Sequence, residues 1–164
     1  MEVSRGLSHY DEKGRARMVD VSAKPETARF ARASVLVRMN ARTRRAVRSN
    51  PKGNPLEVAR VAGIAAAKRT SGLIPMCHPL LLTHIDVQAE FSTEGVRIES
   101  LVRTSGQTGV EMEALTAAAV AALTVYDMCK ALDHGIEITE LHLIEKAGGR
   151  SGHYHHAGKD SRSK

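Results

Sequence analysis

Apolar positions along the chain follow two periods, and these divide it into strands and helices. From Thr27 to Met39, the residues Ala31, Ala33, Val35, Val37 and Met39 alternate with Arg32, Ser34, Leu36 and Arg38. A two-residue period sends neighbouring side chains to opposite faces, so this segment predicts a strand with one buried and one basic face. His84–Phe91 and Val96–Val102 also alternate, and Ser92-Thr93-Glu94-Gly95 between them predicts a hairpin turn. A last strand fits Ile136–Ile144.

Between the strands the signals are helical. Ala41–Arg48 fits a short helix, stopped by Ser49-Asn50-Pro51-Lys52-Gly53. Asn54 then suits an N-cap, Pro55 the first helical position and Glu57 the third residue after the cap, which predicts a helix to about Thr70, ended by Ser71-Gly72. A second long helix is predicted from about Gly109, because Thr108 and Glu111 have capping-box spacing. Its run from Glu111 to Leu132 is apolar on nearly every side, as expected of a helix buried on most faces or shared with another subunit. The order strand, helices, hairpin, helix, strand predicts an α+β fold, a ferredoxin-like antiparallel sheet with helices packed on one face. Residues 1–24 read as an N-terminal arm and 25–152 as a single catalytic domain. From Lys146 onward the chain is rich in Gly, His and charge, and 153–164 are expected to form a disordered tail.

Composition narrows the class. At 164 residues, 42% hydrophobic and 26% charged, the chain suits one globular domain. It carries 24 Lys and Arg against 18 Asp and Glu, and between Arg29 and Arg69 eleven basic residues face one acid, Glu57, so that region prefers anions. Aromatics make up 3% with no Trp, too few for the stacking surface of an RNA-binding sheet, and no nucleic-acid partner is expected. The uncharged, apolar stretch Ala114–Tyr126 falls short of the ~18 residues of a membrane span. Two distant cysteines, Cys77 and Cys129, fit free thiols in a reducing, cytoplasmic setting, with no membrane association.

Candidate chemistry lies in three places. Lys52 precedes the Asn54 cap, where free helix N–H groups favour a phosphate, although a solvated loop lysine fits the same position. Lys68 and Arg69 at the other end of that helix complement its dipole. In Ile74-Pro75-Met76-Cys77-His78-Pro79-Leu80 two prolines stiffen the loop and fix the direction of His78, which either meets a backbone carbonyl or faces a substrate. Asp127 and Lys130 stand three apart on the apolar helix, as an acid–base pair or as a plain ion pair. Glu111 either caps that helix or takes part in chemistry. Glu113 and Asp127 lie 14 positions apart, which on one helix is ~21 Å at ~1.5 Å per residue, too far for both to reach one small substrate. If both are catalytic, the site must be assembled between subunits. No C-x-x-C or H-x-x-x-H pair marks a metal site, and His153, His155 and His156 either bind metal weakly or, as fits a tail, form a solvated cluster. Lys146-Ala147-Gly148-Gly149-Arg150-Ser151-Gly152 can fold over phosphates, although it lacks the G-x-x-x-x-G-K-[ST] pattern and is not a P-loop.

Four segments together, GVEMEALTAAAVAALTVYDMCKA, SGLIPMCHPL, VDVSAKPETAR and KAGGRSG, resemble the cyclic pyranopterin monophosphate synthase family, accessory protein C of molybdenum cofactor biosynthesis. The likeness spans about Met18 to Gly152. It implies a ferredoxin-like fold, a homohexamer built as a trimer of dimers, and sites at subunit interfaces. The implied reaction is a lyase step on (8S)-3′,8-cyclo-7,8-dihydroguanosine 5′-triphosphate, giving cyclic pyranopterin monophosphate and pyrophosphate. Carried over by motif, Asp127, Lys130 and Lys52 are the implied catalytic residues. Met76, Cys77, His78, Glu111, Met112, Glu113, Lys68 and Lys146 are the implied substrate-binding ones. No cofactor is implied beyond Mg²⁺ accompanying the triphosphate.

Overall fold

One face of the first strand is buried as its alternation predicts, but the other is not wholly basic: Ser34, 4% exposed, and Leu36, fully buried, lie on it between Arg32 and Arg38. In the computed structural model, which describes residues 9–49, 53–150 and 152–157, β1 spans Thr27–Arg38 and fully buries Ala31, Ala33, Val35 and Val37 on one face. On the other face Arg32 and Arg38 remain charged and paired, Arg32 with Glu99 at 2.8 Å. Helix α1, Ala41–Arg48, starts where the Asn40 side chain accepts from the Thr43 N–H at 2.9 Å. Helix α2, Pro55–Ala67, has the expected cap, the Asn54 side chain accepting from the Leu56 N–H at 3.0 Å. It stops earlier than expected. The Thr70 hydroxyl donates to the Ala67 carbonyl at 3.0 Å, competing for the last carbonyls of the helix, and Thr70–Leu73 form the short α3 with Ser71-Gly72 inside it.

The hairpin β2 (Leu82–Phe91) and β3 (Gly95–Gly106) is longer than its alternation shows, because β3 pairs along the whole of β1 from Arg38↔Gly95 to Thr27↔Gly106. Helix α4, Glu111–Cys129, follows, ending three residues before the expected Leu132. Its expected capping box is not formed: the N-cap is Val110 and no side chain closes the end, since the Glu111 carboxylate is bonded elsewhere. Strand β4 runs Glu137–Ala147, three residues beyond the expected end, because Phe30 to Arg32 of β1 pair with it as far as Ala147. A fifth strand, β5 at Tyr154–His155, lies where the sequence reading places a tail. It pairs with Glu145 and Lys146.

The sheet order is β2-β3-β1-β4-β5 with every pair antiparallel. Its first four strands have the ferredoxin-like arrangement, with α2 and α4 on the apolar face. By length and composition α4 could cross a membrane. Here Ala114, Ala117, Ala118, Ala121, Ala122 and Val125 are fully buried in the core. Close approach of the two helices depends on Gly63, where a Cβ would stand 2.9 Å from the Ala117 carbonyl oxygen.

Candidate active site

The end of the sheet where α4 begins collects most of the residues singled out above. The stiff Met76-Cys77-His78 loop faces the first turn of α4, and Met76, Cys77, His78, Met112 and Glu113 line one pocket of about 290 Å³ together with Val19 and Val21 from the N-terminal arm. Beside it a second pocket of about 410 Å³ is lined by Lys24, Arg29, Lys146, Gly148, Gly149 and Arg150. The two share Lys24, Thr108, Gly109 and Glu111, so they form one continuous cleft. One half holds protonatable groups, the other cations.

In the first half, Glu113 is 4% exposed, and burial, with the neighbouring Glu111 charge, pushes its carboxyl above the usual range. Burial also pushes the Cys77 thiol up, with Glu113 adding to it. The Nε2 of His78 lies 2.8 Å from the Val19 carbonyl oxygen. A carbonyl only accepts, so Nε2 carries the proton, and the neutral ring keeps its lone pair on Nδ1. The backbone partner considered for His78 is therefore real, and it orients the ring within the pocket.

At the junction, Lys146 Nζ donates to Glu111 Oε1 at 2.8 Å. In the second half, Arg29 donates from Nε to the Gly106 carbonyl at 2.9 Å and from Nη2 to the Gln107 carbonyl at 3.1 Å, which fixes its guanidinium at the end of β3. Gly149, at φ 72°, adopts a left-handed conformation that disfavours any side chain, and a Cβ there would also displace that guanidinium. The preformed corner presents cations to a group that is both anionic and small enough for the cleft. Arg150 belongs to the glycine-rich segment read from the sequence as able to fold over phosphates, whereas Lys24 and Arg29 are not among the candidates that reading gives. Arg29 opens the basic excess that runs to Arg69, which does not distinguish a lining residue from a solvated one, and Lys24 lies outside it.

Three expected residues lie apart. Lys68 is the exposed C-cap of α2 and does not line the cleft. Asp127 and Lys130 form an exposed pair at the opposite end of α4, Lys130 Nζ donating to Asp127 Oδ1 at 2.7 Å. That bond holds the Lys130 ammonium above its ordinary value. Lys52 lies outside the described residues. Among the described residues no group of three or more His, Cys, Asp or Glu side chains is placed to hold a metal. A further hollow of about 360 Å³ on the sheet's open face is lined by Arg32, Arg103, Asp86 and Glu99 and shares no residue with the cleft.

The sequence model of the MoaC family matches residues 18–149, a span that contains nearly all of this cleft. The chain belongs to the MoaC family. Among its relatives, a cyclic pyranopterin monophosphate synthase of Desulfitobacterium hafniense is 56% identical, over 90% of this chain and 93% of the relative. Proteins of the same name from a Roseiflexus species and from Heliobacterium modesticaldum are 58% and 57% identical, each over 90% of this chain and 96% of the relative. Within this family context, the cleft gathers Met76, Cys77, His78, Glu111, Met112, Glu113 and Lys146 in one chain, and leaves Asp127 and Lys130 at a distance from them.

Proposed function

We propose that this chain is a lyase of molybdenum cofactor biosynthesis. It converts (8S)-3′,8-cyclo-7,8-dihydroguanosine 5′-triphosphate to cyclic pyranopterin monophosphate with release of pyrophosphate. The observation that carries this reading is the two-part cleft, protonatable on one side and cationic on the other, in a member of the MoaC family.

The purine-derived ring binds against Met76, Cys77, His78 and Met112. Opening and reclosing it needs protons delivered and removed at several atoms. Glu113, held toward its neutral form by burial, donates and takes back a proton, and His78 accepts one at Nδ1. The triphosphate lies along Lys24, Arg29, Lys146 and Arg150, which stabilise the negative charge that grows as a sugar-derived hydroxyl attacks the α-phosphorus and pyrophosphate departs. The conversion involves no net oxidation, so no redox cofactor enters, and Mg²⁺ is assigned to the triphosphate.

Asp127 and Lys130 complete the site from a second subunit, as the acid–base pair, because their own chain's Glu113 is ~21 Å away along α4 at ~1.5 Å per residue. Lys52 and Lys68 belong to the same shared site. The assembly is a homohexamer, a trimer of dimers, and Leu123 and Met128, exposed on α4, suit an interface. Cys77 and Cys129 are both free thiols, which fits a cytoplasmic enzyme. Incubating the purified protein with the cyclised dihydro-GTP and detecting pyrophosphate and the pterin product tests this reading. Absence of both products contradicts it.

A further inference from the structure

The outer edge of the sheet holds chemistry that the proposed reaction leaves unused. His142 on β4 and His156 just after β5 have ring centroids 4.7 Å apart, tilted by 46°. Their spacing in the sequence does not suggest a pair. The antiparallel return of β5 creates it, the His156 N–H donating to the Ile144 carbonyl at 2.7 Å.

The hydrogen bonds set how each ring is protonated. The Nδ1 of His142 lies 2.6 Å from the Glu140 carbonyl oxygen, so it carries the proton and the neutral ring presents the lone pair on Nε2. A backbone carbonyl bonded to one ring nitrogen is the usual support for an imidazole that binds metal through the other. Glu140 supplies that carbonyl from φ 56°, a left-handed conformation costly for a residue with a side chain. The Nδ1 of His156 is 3.3 Å from the Tyr154 hydroxyl, which can accept an N–H and leave Nε2 available in that ring as well. Two imidazoles sharing one tetrahedral ion at a metal–nitrogen distance of ~2.0–2.1 Å have centroids about 5.2 Å apart. The observed pair, at 4.7 Å, needs only a small outward rotation of the two partly exposed rings to reach this.

We propose that His142 and His156 form a surface site for a late first-row divalent cation, of the class of Ni²⁺, Cu²⁺ or Zn²⁺, bound through both Nε2 atoms with water completing its shell. Ions of this class prefer imidazole nitrogen, whereas Mg²⁺ and Ca²⁺ prefer oxygen. His153 is not part of the site, since its Nε2 is paired with Glu145 Oε1 at 2.7 Å. A bound ion joins β4 to β5 and so anchors the turn whose Gly148, Gly149 and Arg150 line the cationic pocket.

Calorimetric titration of the full-length, tag-free chain with Ni²⁺ at neutral pH tests the proposal. One ion per chain is expected in the wild type. His142→Ala and His156→Ala should each weaken its binding at least about tenfold, as loss of a direct ligand exceeds the ~10–100-fold cost of losing a supporting group. His153→Ala combined with His155→Ala should leave it unchanged. His142→Gln, which keeps a polar side chain on the strand, guards against misfolding and should also lose the ion. Wild-type protein that takes up no Ni²⁺ overturns the proposal, as does His142→Gln binding as tightly as wild type. Equal loss in the His153→Ala, His155→Ala double variant also overturns it.

Discussion

The Glu111 carboxylate accepts a hydrogen bond from Lys146 Nζ across 2.8 Å, tying the first turn of α4 to the end of β4 at the point where the two pockets meet. An anion entering the cationic half competes with Glu111 for this ammonium. The two partners should therefore respond with opposite signs. Lys146→Met should weaken binding of inorganic triphosphate at least about tenfold, on the scale of a charged hydrogen bond, and Glu111→Gln should strengthen it. Calorimetry at low salt checks both, and tighter binding by Lys146→Met would remove Lys146 from the phosphate site.

Glu113 links stability to pH. Its carboxyl is pushed up in the folded protein by burial, then by the Glu111 charge. A raised value means that the folded state holds the proton more tightly than the unfolded one, so the contribution to stability is present at low pH and is lost as pH rises through the folded value. Glu113→Gln removes this loss. Its thermal midpoint should exceed that of wild type at pH 8 and approach it at pH 4, while turnover falls roughly 10²-fold or more. An increase confined to pH 4 would reverse the assigned sign.

Asp127 and Lys130 touch each other and little else in their own chain. Exposed pairs of this kind contribute little to folding. Asp127→Asn and Lys130→Ala should each keep a thermal midpoint close to wild type and lower turnover by roughly 10²-fold or more. Near-normal turnover in either variant would reduce that residue to half of a surface ion pair.

Two glycines separate packing from conformation. Gly63→Ala places a methyl group 2.9 Å from the Ala117 carbonyl, between α2 and α4, and should cost about 1–3 kcal/mol as overpacking. Gly72→Ala meets nothing within 4 Å and should be neutral or stabilise by ~0.4–1 kcal/mol through the unfolded chain. Denaturant unfolding of the two variants distinguishes them, and equal effects would mean that helix contact does not set the requirement at Gly63.

The order of elements was legible in the sequence because the signals are local. Period two along Ala31–Val37 and the cap at Asn54 depend only on neighbouring residues. What escaped depends on long-range pairing. Thr108 and Glu111 have the spacing of a capping box, yet Lys146, 35 positions further along, takes the carboxylate. β5 has too few residues to show a period and exists through its pairing with Glu145 and Lys146. The site divides similarly. Cys77, His78 and Glu113 stand out as motifs, whereas Arg29 enters the cleft only because the ends of β1 and β3 meet there.

The shared site is tested most directly by mixing subunits. Glu113→Ala and Asp127→Asn chains, each inactive alone, are combined under conditions that allow exchange. In a two-fold symmetric dimer, a mixed pair carries both lesions in one site and neither in the other. Random pairing makes about half the dimers mixed, so activity should return to about a quarter of wild type. Verified mixed oligomers that remain as inactive as their parents would contradict a site built from Glu113 of one subunit and Asp127 of the next.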